Sequence, residues 1–321
     1  MPKTPVPTRE EILGTLASRE ASSLADQDIS ERHGQQKRKA RLRIADKLEE
    51  HWSTYGALPF FKKRGRTDSK GKLAADGARA VRAEVVRLLR EAPLTHGFKP
   101  ELWFSASDDV GARMRNCWHL NMGSGLREKT ESTLFRYDGA GATPQMKNLS
   151  AGGNKTAAFQ PNTRPFYASL NYSGARYGGS SSYGKSHMIL RSHMRFNATF
   201  TRCDSFAVQS ARGDSAWKEM GNYHNVYPVI IGVSDGGLDS QGQPTLDVLK
   251  SMIDHALDLV RTPLEEFDGS QYVEARIPGD IVYSRDVEKL VIDRVAVAPD
   301  GTIGKRCKAF AKKHSLAIEF I

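Results

Sequence analysis

TRPFYASLNYSGARYGGSSSYGKSHMILRSHMRFNATFTRCDS, residues 163–205, decides how this chain folds. It begins with an arginine at the head of an apolar, aromatic run: Arg164, then Phe166, Tyr167 and Leu170. A Gly/Ser/Tyr-rich loop follows, then a second run with Met188 and Leu190 alternating, then a third from Phe196 to Thr201 that closes on Asp204 and Ser205. Aromatics alternate with small residues and every break is a Gly/Ser cluster, so the pattern predicts strand, loop, strand, strand. An arginine at a strand beside such a loop suits the holding of a diphosphate. Its guanidinium is a fixed fork of donors, and Gly/Ser backbone admits an anion closely.

Working outward, the two sides of this stretch differ. Residues 1–30 are Pro/Thr/Ser-bearing at the start and predict a weakly ordered segment, with a helix possible over 10–26. Residues 31–98 read as a basic helical region. Ile44, Leu48 and Trp52 fall on one stripe of a helix over 31–52, and Val81, Val85, Leu88 and Leu89 on one stripe of a helix over 73–89 that Pro93 ends. From residue 99 to 321 short strands dominate. LWFSAS, CWHLNMGSG, STLFRYDG, YPVIIGV (227–233), QYVEARI (271–277) and 291–297 all read as strands or strand and loop. Helices are expected over 244–260 and 304–313, and residues 146–163 form a long Gly/Asn/Gln/Pro loop of the kind more often functional than idle. The fold class is α+β: helices first, then a mixed or antiparallel sheet.

The chain of 321 residues carries a formal net charge of +10, much of it in QQKRKARLR and FFKKRGR. A basic region of this kind fits a nucleic acid, an acidic partner or a solvated face. No helix-turn-helix, RNA-recognition or zinc module accompanies the charge, which counts against nucleic acid. Three widely spaced cysteines without a CxxC argue against a disulfide framework or a metal site and fit a reducing compartment. No apolar stretch approaches the length of a membrane span, and residues 1–30 lack the apolar core of a cleaved signal peptide.

Three separated pieces can meet in one cleft: Arg164, the Ser180 to His187 loop, and Glu274, flanked by apolar Val273 and Ala275. A glutamate so placed is either paired with a cation or kept for chemistry. The plain alternatives are an Arg164–Glu274 salt bridge, a flexible surface loop and a packed histidine at His187.

Arginine, serine and late glutamate in this order resemble the R-S-E pattern of ADP-ribosyltransferases. RPFYASLNY, YGKSHMILR, ATFTRCDS and YVEARIPGDIVYSRDVEKLV also resemble, in order, blocks of a bacterial family without an assigned function, and the CteC-like type III effectors that attach ADP-ribose to a threonine of ubiquitin. The likeness covers about residues 163–290. Lys185, Arg276 and Pro278 depart from the usual serine, glutamine and histidine. The resemblance implies an NAD-dependent mono-ADP-ribosyltransferase over residues 99–321. It implies Glu274 at the ribose 2′-hydroxyl and the oxocarbenium, Arg164 on the phosphates or the nicotinamide ribose, and Ser186 supporting the glutamate. NAD would also meet Tyr167 or Tyr183 as a stacking ring, Asn171, Gly184 and His187, the last packing rather than reacting. Tyr272, where arginine-modifying relatives carry a second acid, argues against arginine as acceptor and leaves a hydroxyl or another side chain. The further expectations are a host protein as acceptor with ubiquitin first, a secretion chaperone at the N-terminus, export without a cleaved signal and action in host cytoplasm. An NAD glycohydrolase and a binding protein without turnover are the alternatives.

Overall fold

The computed structural model describes residues 30–58, 61, 70–107, 110–117, 127, 129–131, 165–212, 219–234, 247–260, 272–277 and 279–321. Arg164, the helix expected over 10–26, the 146–163 loop and nearly all of CWHLNMGSG and STLFRYDG lie outside them. The longer helices are α1 (Ser30–Glu50), α2 (Lys70–Glu91), α3 (Ser205–Arg212), α4 (Tyr227–Ser234), α5 (Val248–Ala256) and α6 (Thr302–His314). The strands are β1 (Leu94–Phe98), β2 (Phe166–Leu170), β3 (Ser186–Leu190), β4 (Thr199–Thr201), β5 (Gly221–Asn222), β6 (Val273–Ile277), β7 (Val287–Ile292) and β8 (Ala317–Phe320).

Among the described residues the strands form one sheet in the order β5-β4-β6-β2-β1-β3-β7-β8. Every pairing is antiparallel except β7–β8, whose parallel return is made through α6. A mixed sheet of this kind needs such a crossover only where two neighbours run parallel.

The helices cover their apolar stripes on one another. Ala40, Ile44 and Leu48, spaced four apart, are buried on α1, and Ala78, Val81, Val85 and Leu89 on α2. α1 packs on α2 and α4, and α5 on α2. Arg90 of α2 donates to the carbonyls of Tyr223 and His224 (2.8 and 2.6 Å), tying this layer to the β5 edge. The seam expected at residue 98 falls at the end of β1, in the middle of the sheet. Buried side chains of α1 and α2 belong to the same apolar cluster as Leu94, Phe166, Leu170 and Val273.

Four local expectations are corrected. YPVIIGV is the helix α4. Pro228 sits in its first turn, where its missing N–H costs nothing, and the segment is apolar nearly all round because it is buried nearly all round. LWFSAS contributes a helical turn, Pro100–Trp103, opened by its proline. The strand expected over 291–297 lies earlier, at β7. Leu94–Phe98 was expected to close the helical region and is instead a central strand.

Candidate functional site

The register decides what meets what. Thr201, Glu274, Ser169 and Thr95 are successive partners across β4, β6, β2 and β1, and Thr95 in turn faces Ile189 on β3. One row along, Thr199 pairs with Arg276 and Arg276 with Tyr167. Side chains alternate along a strand, so these residues and His187 share one face, while Phe166, Leu170, Val273 and Ser186 take the other. The sheet therefore carries a polar face across four strands. Thr95 and Ser169 bond through their hydroxyls at 3.1 Å.

The segment Asn171–Lys185 folds over this polar face. Asn171 closes it locally, accepting from Ala175 N (2.8 Å) and donating to Ala175 O (2.9 Å). Its amide thereby braces the loop. Gly179 donates its N–H to Thr95 Oγ1 (2.8 Å), and a Cβ there would stand 2.7 Å from Ser169 Oγ. Gly184, at φ +137, would put a Cβ 2.3 Å from Phe98 O. Glycine at both positions lets the loop lie directly on the sheet. The loop thereby delivers Tyr183, 51% exposed, above the polar face.

Glu274 lies beneath, 4% exposed. Its Oε1 accepts from Arg276 (2.9 Å) and its Oε2 from the backbone N–H of Ser205 (3.3 Å). Arg276 is wholly buried and donates further to Thr201 Oγ1 (2.9 Å) and Thr199 Oγ1 (3.3 Å). Burial pushes the Glu274 carboxyl above its ordinary value, Arg276 opposes that shift, and the nearby Asp204 charge adds to it.

A second carboxylate stands beside the first. Asp204 Oδ2 accepts the phenol of Tyr183 (3.1 Å) and that of Tyr272 (3.0 Å), and Tyr272 is also 3.5 Å from Glu274 Oε2. The two rings meet edge to face at 6.4 Å. Burial, then the Asp204 charge, raises Tyr183 to about 12. Burial and the two carboxylates push Tyr272 higher still, so both remain phenols. Asp204 Oδ1 meanwhile accepts Phe206 N (2.7 Å) at the start of α3.

The remaining expected residues divide. Tyr167 reaches the polar face, but its hydroxyl donates to Glu131 (2.7 Å) and the Arg127 guanidinium covers its ring at 4.6 Å. Tyr183 is thus the aromatic open to a ligand. His187 is buried beneath the loop, its Nδ1 3.5 Å from Lys185 O, and burial lowers it to about 4, a neutral packing residue. Ser186 is not brought to Glu274: it faces the opposite side, where its Oγ accepts Asp293 N (3.0 Å) and borders a cleft of about 240 Å³ with Phe98, Lys99, Glu101 and Lys185. The serine that touches the glutamate is Ser205. Arg276, Asp204 and Arg127 were not singled out as site residues from the sequence. The first had a signal, since EAR and the preceding YVE place Tyr272, Glu274 and Arg276 on one face of a strand.

Among the described residues, ligand atoms of Glu50, His51 and Asp247 also converge within 4.8 Å of one another. Lys47 Nζ already lies 2.5 Å from both carboxylates, so this group has its cation.

The model of the DUF3626 family, described as a protein of unknown function, matches residues 122–321, and the chain belongs to that family. The matched span contains every strand of the sheet except β1, together with the whole Glu274–Asp204 constellation. No curated protein matches the chain.

Proposed function

We propose that the protein is an NAD+-dependent mono-ADP-ribosyltransferase with Glu274 at its centre. One observation carries this: a buried carboxylate held by an arginine and a backbone N–H, on a strand paired with the one that Arg164 precedes by two residues, under an exposed tyrosine. Cleavage of NAD+ breaks the bond between ribose C1′ and nicotinamide. The electron pair leaves with neutral nicotinamide, and positive charge develops at C1′. A carboxylate already fixed in a dry site stabilises such charge without reorganising, commonly the largest single contribution to a rate. A carboxylate has about four acceptor positions. Arg276, Ser205 and Tyr272 engage part of that capacity in Glu274, leaving room for the ribose 2′-hydroxyl.

Tyr183 supplies a ring face for nicotinamide and has to swing with its loop to admit it. Ser205, and not Ser186, orients the glutamate. The motif order that resembles ubiquitin-modifying effectors makes ubiquitin the first acceptor to try. Nicotinamide release from NAD+ by the purified chain is the direct test. The expected result is release that falls about 100- to 1,000-fold in Glu274→Gln, the range for losing one preorganised electrostatic group. No release from the wild type with or without ubiquitin defeats the proposal.

A further inference from the structure

The transferase reading leaves the acceptor's proton without a destination, and Glu274 is poorly placed to take it. It is 4% exposed and ion-paired to Arg276, and the acceptor room left beside its bonds to Arg276 and the Ser205 N–H is taken by the ribose 2′-hydroxyl in that reading. Asp204 is less buried and has no ion-pair partner among the described residues. Its Oδ1 is anchored by the first turn of α3, whose positive end favours an anion there. Its Oδ2 holds two hydroxyls, one from buried Tyr272 and one from Tyr183, which reaches it from the solvent side. That second hydroxyl is the protein's own stand-in for an incoming one.

Resting on the transferase reading above, we propose that Asp204 is the general base of the transfer: an acceptor hydroxyl displaces the Tyr183 phenol from Oδ2 and gives its proton there. The acceptor oxygen bonds to C1′ as the C1′–N bond breaks, nicotinamide leaves with the bonding pair, and the proton passes from Asp204 to water. Tyr272, bonded to Oδ2 and close to Glu274 Oε2, stands between the two carboxylates. The substrate class is therefore a hydroxyl, on a protein or in water, with no second acid needed at position 272.

Asp204→Asn tests this while leaving the helix start intact, because asparagine caps as well as aspartate. Full-length wild type, Asp204→Asn and Glu274→Gln are compared with NAD+ and ubiquitin, following NAD+ affinity, nicotinamide and ADP-ribosyl ubiquitin. The expected result for Asp204→Asn is NAD+ affinity within about threefold of wild type and transfer reduced about 100-fold or more, the usual size of a general-base contribution. If the wild type makes only free ADP-ribose, the same comparison is read on that product. Asp204→Asn within about threefold of wild type, with Glu274→Gln inactive, overturns the base assignment alone. A wild type that cleaves no NAD+ overturns the transferase reading and the base with it.

Discussion

Glu274→Gln should destabilise the protein because it strands a buried cation. Arg276 has no exposed surface, and Glu274 is its carboxylate partner at 2.9 Å among the described residues. At an effective dielectric of about 20, two unit charges at this separation attract by about 6 kcal/mol. Much of that offsets the desolvation of both groups, so the useful figure is the cost of breaking such a pair from one side, about 3–5 kcal/mol. Thr199 and Thr201 remain as acceptors for the guanidinium but carry no charge. In urea, with a slope of about 3 kcal/mol/M for a chain of this size, the midpoint should fall by about 1 M or more. Glu274→Gln combined with Arg276→Met removes both charges at similar volume and should recover most of the loss, since an apolar replacement of a buried pair is often neutral or better. A single variant with the wild-type midpoint, or a double variant no better than the single, refutes the assignment of Arg276 as counter-ion.

Three further outcomes follow from the same geometry. Transfer should require ionised Glu274, whose carboxyl is raised, so kcat/KM should decline as pH falls and reach half at a pH above the ordinary carboxylate range; a half-point at or below that range contradicts the burial. The sign for stability is opposite. A raised carboxyl stabilises most below its unfolded value and loses that contribution as pH rises through the folded one, so Arg276→Met, which removes the opposing charge, should lose more stability at pH 8 than at pH 5 by urea midpoint. Ser186→Ala removes the acceptor of Asp293 N and should cost about 1–3 kcal/mol while leaving nicotinamide release within about threefold, which activity corrected for folded fraction will show.

The helices with clean spacing, α1, α2 and α5, were legible because their apolar residues recur at three and four. The strands around residues 163–205 were legible because aromatics alternate and glycines punctuate. β1 was not: Leu94–Phe98 is only five residues, with a histidine and a glycine inside it, directly after a long helix. Gly97 is a glycine because the loop crosses there, with Ser180 O only 3.1 Å from where a Cβ would sit. α4 misled because a short apolar run has no readable period, although Pro228 pointed to a helix start. At the site, residue types were visible but faces were not. Ser186 and Glu274 lie on strands separated by β2 and β1, and only the register shows that they point to opposite sides. The pairing of Glu274 with Arg276 needed no long-range information, only the two-residue repeat of a strand. Asp204 reaches Tyr272 across 68 positions of sequence, which spacing cannot reveal.

The most direct test of the central claim is label transfer from biotin-NAD+ to ubiquitin by the purified chain, run beside Arg164→Ala and Glu274→Gln with unfolding midpoints measured on each. The account predicts a labelled band with the wild type and none with the Glu274→Gln protein that remains folded. Label that persists in Glu274→Gln, or no label and no nicotinamide release from the wild type, contradicts it.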